Sequence, residues 1–384
     1  MKGNLKIMMT ADTIGGVWTY TIDLCRALQQ YPVEIHLLTM GAFPTKAQHL
    51  QLNELNNVFL YESNFKLEWM ENPWRDVEKA QEWISRIYLK VKPDIMHFNN
   101  YAQAAQFWNV PTVTVLHSCV QTWWQAVKGE RAPESWDPYA KVVRKALVKS
   151  DAVVAPTIAM LRQAKEIYGE INNSSIIYNG SYHASPIKEK EPFIFCAGRL
   201  WDEAKNIKLL ADIADRLSWP IYIAGSNIDS KKADQTNAQN VHFLGQLSPE
   251  EMKDKLARAS IFVMPATYEP FGLAVLEAAK SGCALVLSNI NSLKEIWDSA
   301  AIYIDPKDPQ EIIDSLEQLI SNEALREMMG QKALAKSEIY TAEEMGKNYY
   351  RLYRQLVAAR IPATPVHQTN QYHENSHVLS FPGL

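Results

Sequence analysis

The sequence predicts an α/β protein of two doubly wound halves facing each other across a cleft. Two observations carry this. Short apolar runs alternate with helix-spaced stretches along nearly the whole chain, and the pattern stops at Asn179-Gly180 and a proline-punctuated stretch, Ser181–Pro192, before restarting. A length of 384 residues suits two domains, and 47% hydrophobic residues let each half bury its own core. The expected divisions are 1–185, 190–340, a closing helix over 341–360 that turns back toward the first half, and a flexible tail over 361–384.

In the first half, the apolar run from Leu5 reads as a strand, Ala11 to Gly16 as a glycine-bearing turn, and Val17 to Gln30 as a helix. Further strands are expected at Val33–Thr39, Asp94–Phe98, Thr112–His117, Ala152–Ala155 and Ser175–Tyr178, with helices such as Trp74–Lys90 and Tyr139–Lys149 between them. In the second half, strands are expected at Phe193–Ala197, Pro220–Ala224, Val241–Leu244, Ile261–Pro265, Ala284–Ser288 and Ala301–Ile304. Helices at Asn206–Leu217, Pro249–Ala257 and Leu273–Ser281 fill the gaps. Strands alternating with helices make parallel sheets, and such sheets bind ligands at the carboxyl ends of their strands.

A net charge of −4 with interleaved signs argues against a nucleic-acid partner, which calls for a basic surplus. Cys25, Cys119, Cys196 and Cys283 lie far apart with no CxxC pair, so neither a zinc knuckle nor a disulfide framework is expected. No apolar run approaches the ~20 residues a membrane span needs, and no signal peptide is visible. The expectation is a cytoplasmic protein, with peripheral membrane contact left open. The polar tail holds His367, His373 and His377 and is read as frayed chain rather than a metal site.

Chemistry concentrates in Pro265-Ala266-Thr267-Tyr268-Glu269-Pro270-Phe271-Gly272-Leu273-Ala274-Val275-Leu276-Glu277. A strand ends at Pro265, a loop carries Glu269, and Gly272 opens a helix whose free N–H groups favour an anion. Glu269 stands before those donors, and Glu277 lies about one turn into the helix. Two carboxylates beside an anion site fit the two polyols of a sugar nucleotide; an acidic first helical turn is the alternative reading. Upstream, Cys196-Ala197-Gly198-Arg199-Leu200 ends another strand, and Lys205-Asn206 opens the next helix. Arg199 and Lys205 could reach one diphosphate and neutralise the charge that grows as a glycosidic bond breaks.

Gly198-Arg199-Leu200…Lys205-Asn206 followed by Glu269…Glu277 resembles the retaining GT-B glycosyltransferases of the large group that includes sucrose-phosphate and glycogen synthases, with their E-x7-E signature. Gly15-Gly16, Asn179-Gly180 and Val241–Gly245 extend the resemblance in the same order along nearly the whole chain. It implies two Rossmann-like domains and hexosyl transfer from a nucleotide-diphosphate sugar, with no cofactor or metal. Arg199 and Lys205 would bind the diphosphate, Glu277 the ribose, and Glu269 with the amides of Phe271, Gly272 and Leu273 the sugar and phosphate. Gly16 would offer its amide from the other domain, with Gly198 beside the diphosphate, and Gln246-Leu247 would read or pack against the base. Ala204 departs from the family, which often has Glu next to the lysine, and puts the detail of that loop in doubt.

His117 and His97 both end strands and are candidates near the sugar and acceptor, a satisfied structural histidine being the alternative for each. Trp18, Trp123 and Trp124 sit beside the expected cleft, Trp123-Trp124 in a loop, and could stack on a small-molecule, glycan or lipid acceptor; plain packing is the alternative. No DxD metal clamp is present. The expected mechanism is front-face displacement through an oxocarbenium-like transition state, with Glu269 positioning the sugar rather than attacking it. A sugar-nucleotide epimerase of the same architecture, or a non-catalytic sugar-nucleotide binder, are the rival readings. Donor base, acceptor and oligomeric state are not legible.

Overall fold

The computed structural model describes residues 3–182, 188–225 and 238–360. The tail with its three histidines and the middle of the expected linker lie outside the described residues. Thirteen strands are described, β1 (Leu5–Asp12), β2 (Val33–Met40), β3 (Val58–Tyr61), β4 (Ile95–Phe98), β5 (Thr112–Val115), β6 (Ala152–Ala155), β7 (Ser174–Ile176), β8 (Glu191–Ala197), β9 (Ile221–Ala224), β10 (Val241–Gly245), β11 (Ala259–Met264), β12 (Ala284–Ser288) and β13 (Ile302–Ile304). They form two parallel sheets, ordered β3-β2-β1-β4-β5-β6-β7 and β10-β9-β8-β11-β12-β13. This is the GT-B arrangement of two Rossmann-like units.

Helices cover both faces of each sheet, so the central strands read as unbroken apolar runs. β4, β5, β6, β11 and β12 are buried at every position. Strand order reverses between β1 and β4 in the first sheet and between β8 and β11 in the second. At such a switch point the helices leave in opposite directions and open a crevice beyond the strand ends. Two crevices therefore face each other.

Each crevice receives a helix that begins at a glycine in the left-handed region. Gly15 (φ 80°) precedes the helix Gly16–Leu28, and Gly272 (φ 91°) precedes the helix Leu273–Lys280. Neither helix start has a side-chain cap, so the opening N–H groups stay available. A side chain at either position would strain the turn. The two starts also face each other: a Cβ built on Gly16 would lie 3.9 Å from Leu273 Cδ1.

The closing helix, Ala342–Arg360, crosses back to the first half. It sets Met345, Tyr349, Tyr353 and Val357 into the core on one face of the first sheet, beside Tyr20 and Leu24 of the helix Gly16–Leu28. Several elements differ from the sequence expectation. β3 is not among the expected strands: its Val-Phe-Leu-Tyr run is apolar but only four residues long, and it forms an edge strand with no position fully buried, Phe59 being 51% exposed. The helix expected to reach Leu217 stops at Ile213 and tightens into a 3-10 turn through Arg216. Trp123-Trp124 lie on a helix, Val120–Lys128, and not in a loop. Among the described residues no helix is long and apolar enough to cross a membrane, and all four cysteines are buried and free.

Candidate active site

The ends of β8 and β11, flanking the second switch point, bring the expected charged residues together. Lys205 Nζ meets Glu269 Oε2 at 2.6 Å, each side chain 13% exposed. The second Glu269 oxygen accepts the Phe271 N–H at 3.4 Å, and Ser292 Oγ donates to the Glu269 carbonyl. Without a ligand this lysine and carboxylate neutralise each other. A diphosphate that takes the lysine and a sugar hydroxyl that takes the carboxylate can replace the pair, group for group.

Arg199 follows β8 and reaches toward the first half. Its Nη1 lies 3.4 Å from where a Cβ on Gly15 would stand, so the guanidinium packs against the Gly15 turn. Nη2 donates to Asp202 Oδ2 at 2.7 Å, the Trp201 ring lies 5.2 Å from the guanidinium carbon, and Nε has no hydrogen-bond partner among the described residues. Burial alone would raise the Asp202 carboxyl. The adjacent Arg199 guanidinium and the hydrogen bonds from Trp123 and Arg199 outweigh it and hold the group below its usual range. Gly198 lets Lys205 fold across it, since a Cβ there would lie 3.3 Å from the lysine chain.

Glu277, half-buried on the helix Leu273–Lys280, faces the first half. Burial pushes its carboxyl up to about 7, nearby Asp23 adds to the rise, and Lys253 and Lys280 oppose it. Asp23, on the helix Gly16–Leu28, is itself pushed by burial to about 6 against the pull of Arg26. Two carboxyls from opposite halves thus share one corner of the cleft. Gln246 is exposed, and half-buried Leu247 packs on the core of the second half.

The first half contributes a neutral network at its own switch point. Asn99, just past β4, donates from Nδ2 to the Thr10 carbonyl at 2.8 Å, which turns Oδ1 toward the two histidines. Oδ1 accepts from His117 Nε2 at 2.8 Å and from His97 Nε2 at 3.1 Å. Thr10 Oγ1 donates to Asn100 Oδ1 at 2.6 Å. Burial drives the His117 pKa down to about 3, with the neighbouring His97 adding to the fall, so the ring is neutral at physiological pH. With Nε2 carrying the proton, Nδ1 is left as a hydrogen-bond acceptor. The Tyr20 ring holds the imidazole edge-on, centroids 4.5 Å apart.

Two expected acceptor contacts, His97 and Trp18, are corrected. His97 is fully buried and its Nδ1 accepts from Tyr353 Oη at 2.6 Å, so both nitrogens are satisfied inside the protein. Trp18 is 5% exposed, lies in the core, and donates Nε1 to Gln51 at 2.7 Å, leaving no ring face for a ligand. Trp123 and Trp124 pack edge-to-face, and Trp123 Nε1 donates across the cleft to Asp202 at 2.9 Å. That makes Trp123 a bridge between halves.

Sequence reasoning missed Asp12, Glu68, Asn99, Asn100 and Asp202. Asp12 ends β1, where burial pushes its carboxyl up to about 7 against the Ile14 N–H bond of 2.7 Å. Glu68 is 2% exposed; Oε1 accepts the Tyr101 N–H at 2.6 Å and Oε2 has no hydrogen-bond partner among the described residues. Burial raises its pKa as well. Asp12, Asn99 and Asn100 were findable as polar residues ending strands at a switch point. Glu68 sits in an irregular segment with no such signal.

The chain matches two adjacent family models, "Glycosyltransferase Family 4" over residues 14–181 and "Glycosyl transferases group 1" over 182–336. It is 30% identical over 232 residues to a glycogen synthase of Mycobacterium tuberculosis, covering 53% of this chain and 54% of that protein. It is 31% identical over 116 residues to O-antigen chain mannosyltransferase B of Escherichia coli, 30% of each. The chain thus spans from about a third to about half the length of these curated relatives. Its fold resembles sucrose-phosphate synthase of Thermosynechococcus elongatus, with a TM-score of 0.78, 17% identity, and coverage of 93% of this chain and 100% of that one. Anabaena HepE, solved with UDP and glucose, superposes at TM-score 0.70 and 16% identity over 92% of this chain and 100% of HepE.

Proposed function

The chain belongs to the group 1 glycosyltransferases, and from that premise we propose that it transfers a hexosyl group from a nucleotide-diphosphate sugar to an acceptor hydroxyl, with retention and without a metal ion. The observation that carries this reading is the convergence of Arg199, the Lys205–Glu269 pair and the helix start at Gly272 on one crevice, opposite the uncapped helix start at Gly16. The glucose and UDP present in HepE are in keeping with such a donor.

In this reading the diphosphate lies between the guanidinium and ammonium groups on one side and the opening amides of the two helices on the other. Glu269, released from Lys205, accepts from a sugar hydroxyl, and Glu277 accepts from the ribose. His117 offers its Nδ1 lone pair to a sugar or acceptor hydroxyl. The anomeric carbon–oxygen bond to phosphate breaks as the acceptor oxygen bonds to the same face of that carbon. The acceptor proton passes to the departing phosphate oxygen, and the products are a nucleoside diphosphate and a glycoside. Arg199, Lys205 and the helix dipoles stabilise the charge that grows on the phosphate, the task a metal performs elsewhere.

The test is a melting-temperature screen with UDP-, GDP- and ADP-sugars in the presence of EDTA, followed by transfer assays with the donor that binds. One donor class should raise Tm, since a ligand at 100 times its Kd stabilises by about 2.7 kcal/mol. The product should keep the donor's anomeric configuration by proton NMR. If no nucleotide sugar shifts Tm, the reading fails; an inverted product removes the front-face mechanism alone.

A further inference from the structure

We infer that Asp202 and Trp123 form a positioning relay that sets Arg199 only when the two halves are apposed, so that closure of the cleft completes the diphosphate clamp. The inference rests on the donor reading above and adds to it the means by which that site is switched.

The Asp202 carboxylate is 5% exposed and fully engaged. Oδ2 accepts from Arg199 Nη2 at 2.7 Å, while Oδ1 accepts from the Ala204 N–H at 3.1 Å and from Trp123 Nε1 at 2.9 Å. Of these donors only the indole comes from the other half. Together with the Ala204 N–H it fixes the carboxylate plane, and the carboxylate fixes the guanidinium plane. Arg199 itself has 41% of its side chain exposed, so without this tether it is a mobile surface cation. Its approach to the Gly15 turn adds a second constraint from the same opposite half.

The helix that carries Trp123 grips both donor-side loops. Thr122 Oγ1 and Tyr268 Oη lie 2.7 Å apart, next in sequence to Glu269, and Lys128 pairs with Glu203 at 2.5 Å beside Asp202. One helix of the first half, starting just past His117, therefore touches the segment bearing Arg199 and the segment bearing Glu269. Tyr268 and Ala204 are buried in the hydrophobic core of the first half, so this contact is packed as well as hydrogen-bonded. The buried Ala204 also explains the departure from the family pattern at that position: a glutamate there would be driven into the core. Separation of the halves withdraws the indole N–H and leaves the Ala204 N–H as the one remaining backbone hold on Asp202, so Asp202 and Arg199 gain freedom to turn together.

The test separates the relay from the donor reading. Trp123→Phe keeps the ring and removes the N–H; Asp202→Asn keeps an oxygen acceptor and removes the charge facing Arg199. Each should lower kcat about tenfold while donor Kd by calorimetry changes less than about twofold, and the double variant should fall no further than the worse single one, as coupled sites do. Full kcat in Trp123→Phe, or additive losses in the double variant, overturns the relay. If Trp123→Phe folds poorly, Asp202→Asn alone decides, with unchanged kcat as the overturning result. Arg199→Ala, in the same assay, identifies which idea has failed. Full activity there removes the donor reading, whereas an inactive Arg199→Ala beside a fully active Trp123→Phe removes only the relay.

Discussion

At the second switch point the strands end in ions, and at the first they end mainly in neutral amides and imidazoles, beside one carboxyl, Asp12, that burial pushes up to about 7. Lys205 and Glu269 keep a little solvent access and, among the described residues, form an ion pair only with each other, so an incoming ligand can exchange with both. Asn99, His97 and Thr10 are nearly or fully buried and bonded to one another, and a ligand can displace none of them without leaving a buried donor unsatisfied. The contrast separates two tasks. Where charge changes during a reaction, the protein holds ions that can be re-paired. On the proposed reading, where a reactant must be held in place it offers a rigid neutral frame with one lone pair, on His117, left over.

The strongest way to break this comparison is to remove a cation. Arg199→Ala and Lys205→Ala should each lower kcat by roughly 10²–10³-fold, as loss of one transition-state charge donor does, with a much smaller change in donor Kd by calorimetry. Equal losses in Kd and kcat would instead make these residues ground-state anchors.

Next in size is a pH effect confined to the ionic side. Glu277 is raised from 4.5 to about 7; if it binds the ribose as proposed, it accepts the hydroxyls best when ionised, so donor affinity should fall about tenfold between pH 8 and pH 6. Glu277→Gln should flatten that profile. A raised folded-state value also means that the folded chain holds a proton the unfolded chain has lost between these two values. Its stability contribution from this group therefore declines as pH rises from 4.5 to about 7, and Glu277→Gln should remove that decline from a Tm–pH series.

The neutral frame is sharpened by Asn99→Ala. Two imidazole N–H donors then lose their acceptor in a buried site, and unfolding free energy by denaturant titration should drop by about 2 kcal/mol. Activity should fall with it, because His117 is no longer held. The smallest effect is expected at Trp18→Phe, which removes the Gln51 hydrogen bond and leaves the ring in the core. Stability should fall by about 1 kcal/mol with kcat unchanged, and a specific loss of acceptor turnover would return Trp18 to the acceptor site.

The ionic side is largely legible in the amino-acid sequence. Arg199, Lys205, Glu269 and Glu277 stand at strand ends and helix starts within two short stretches, and local chemistry places their charges near one crevice. The neutral side is not legible in that way. His97 and His117 look alike in sequence, each ending a strand, yet His97 is closed off by Tyr353 from the far end of the chain and His117 is not. Trp18 and Trp123 also look alike, both aromatic and next to a turn. One points into its own half and the other reaches Asp202 in the opposite half. Glu68 comes to the first crevice from an irregular segment that no periodicity describes.

By its alternating apolar runs and its two glycine turns, the sequence alone determined that two parallel sheets would form and where each would open. Backbone geometry and side-chain period are local, and they read directly from neighbouring residues. Which polar groups meet across the cleft was decided only by tertiary structure. Hydrogen bonds such as Trp123–Asp202 and His97–Tyr353 join residues far apart in the chain, and their length and direction depend on how the sheets and the closing helix pack.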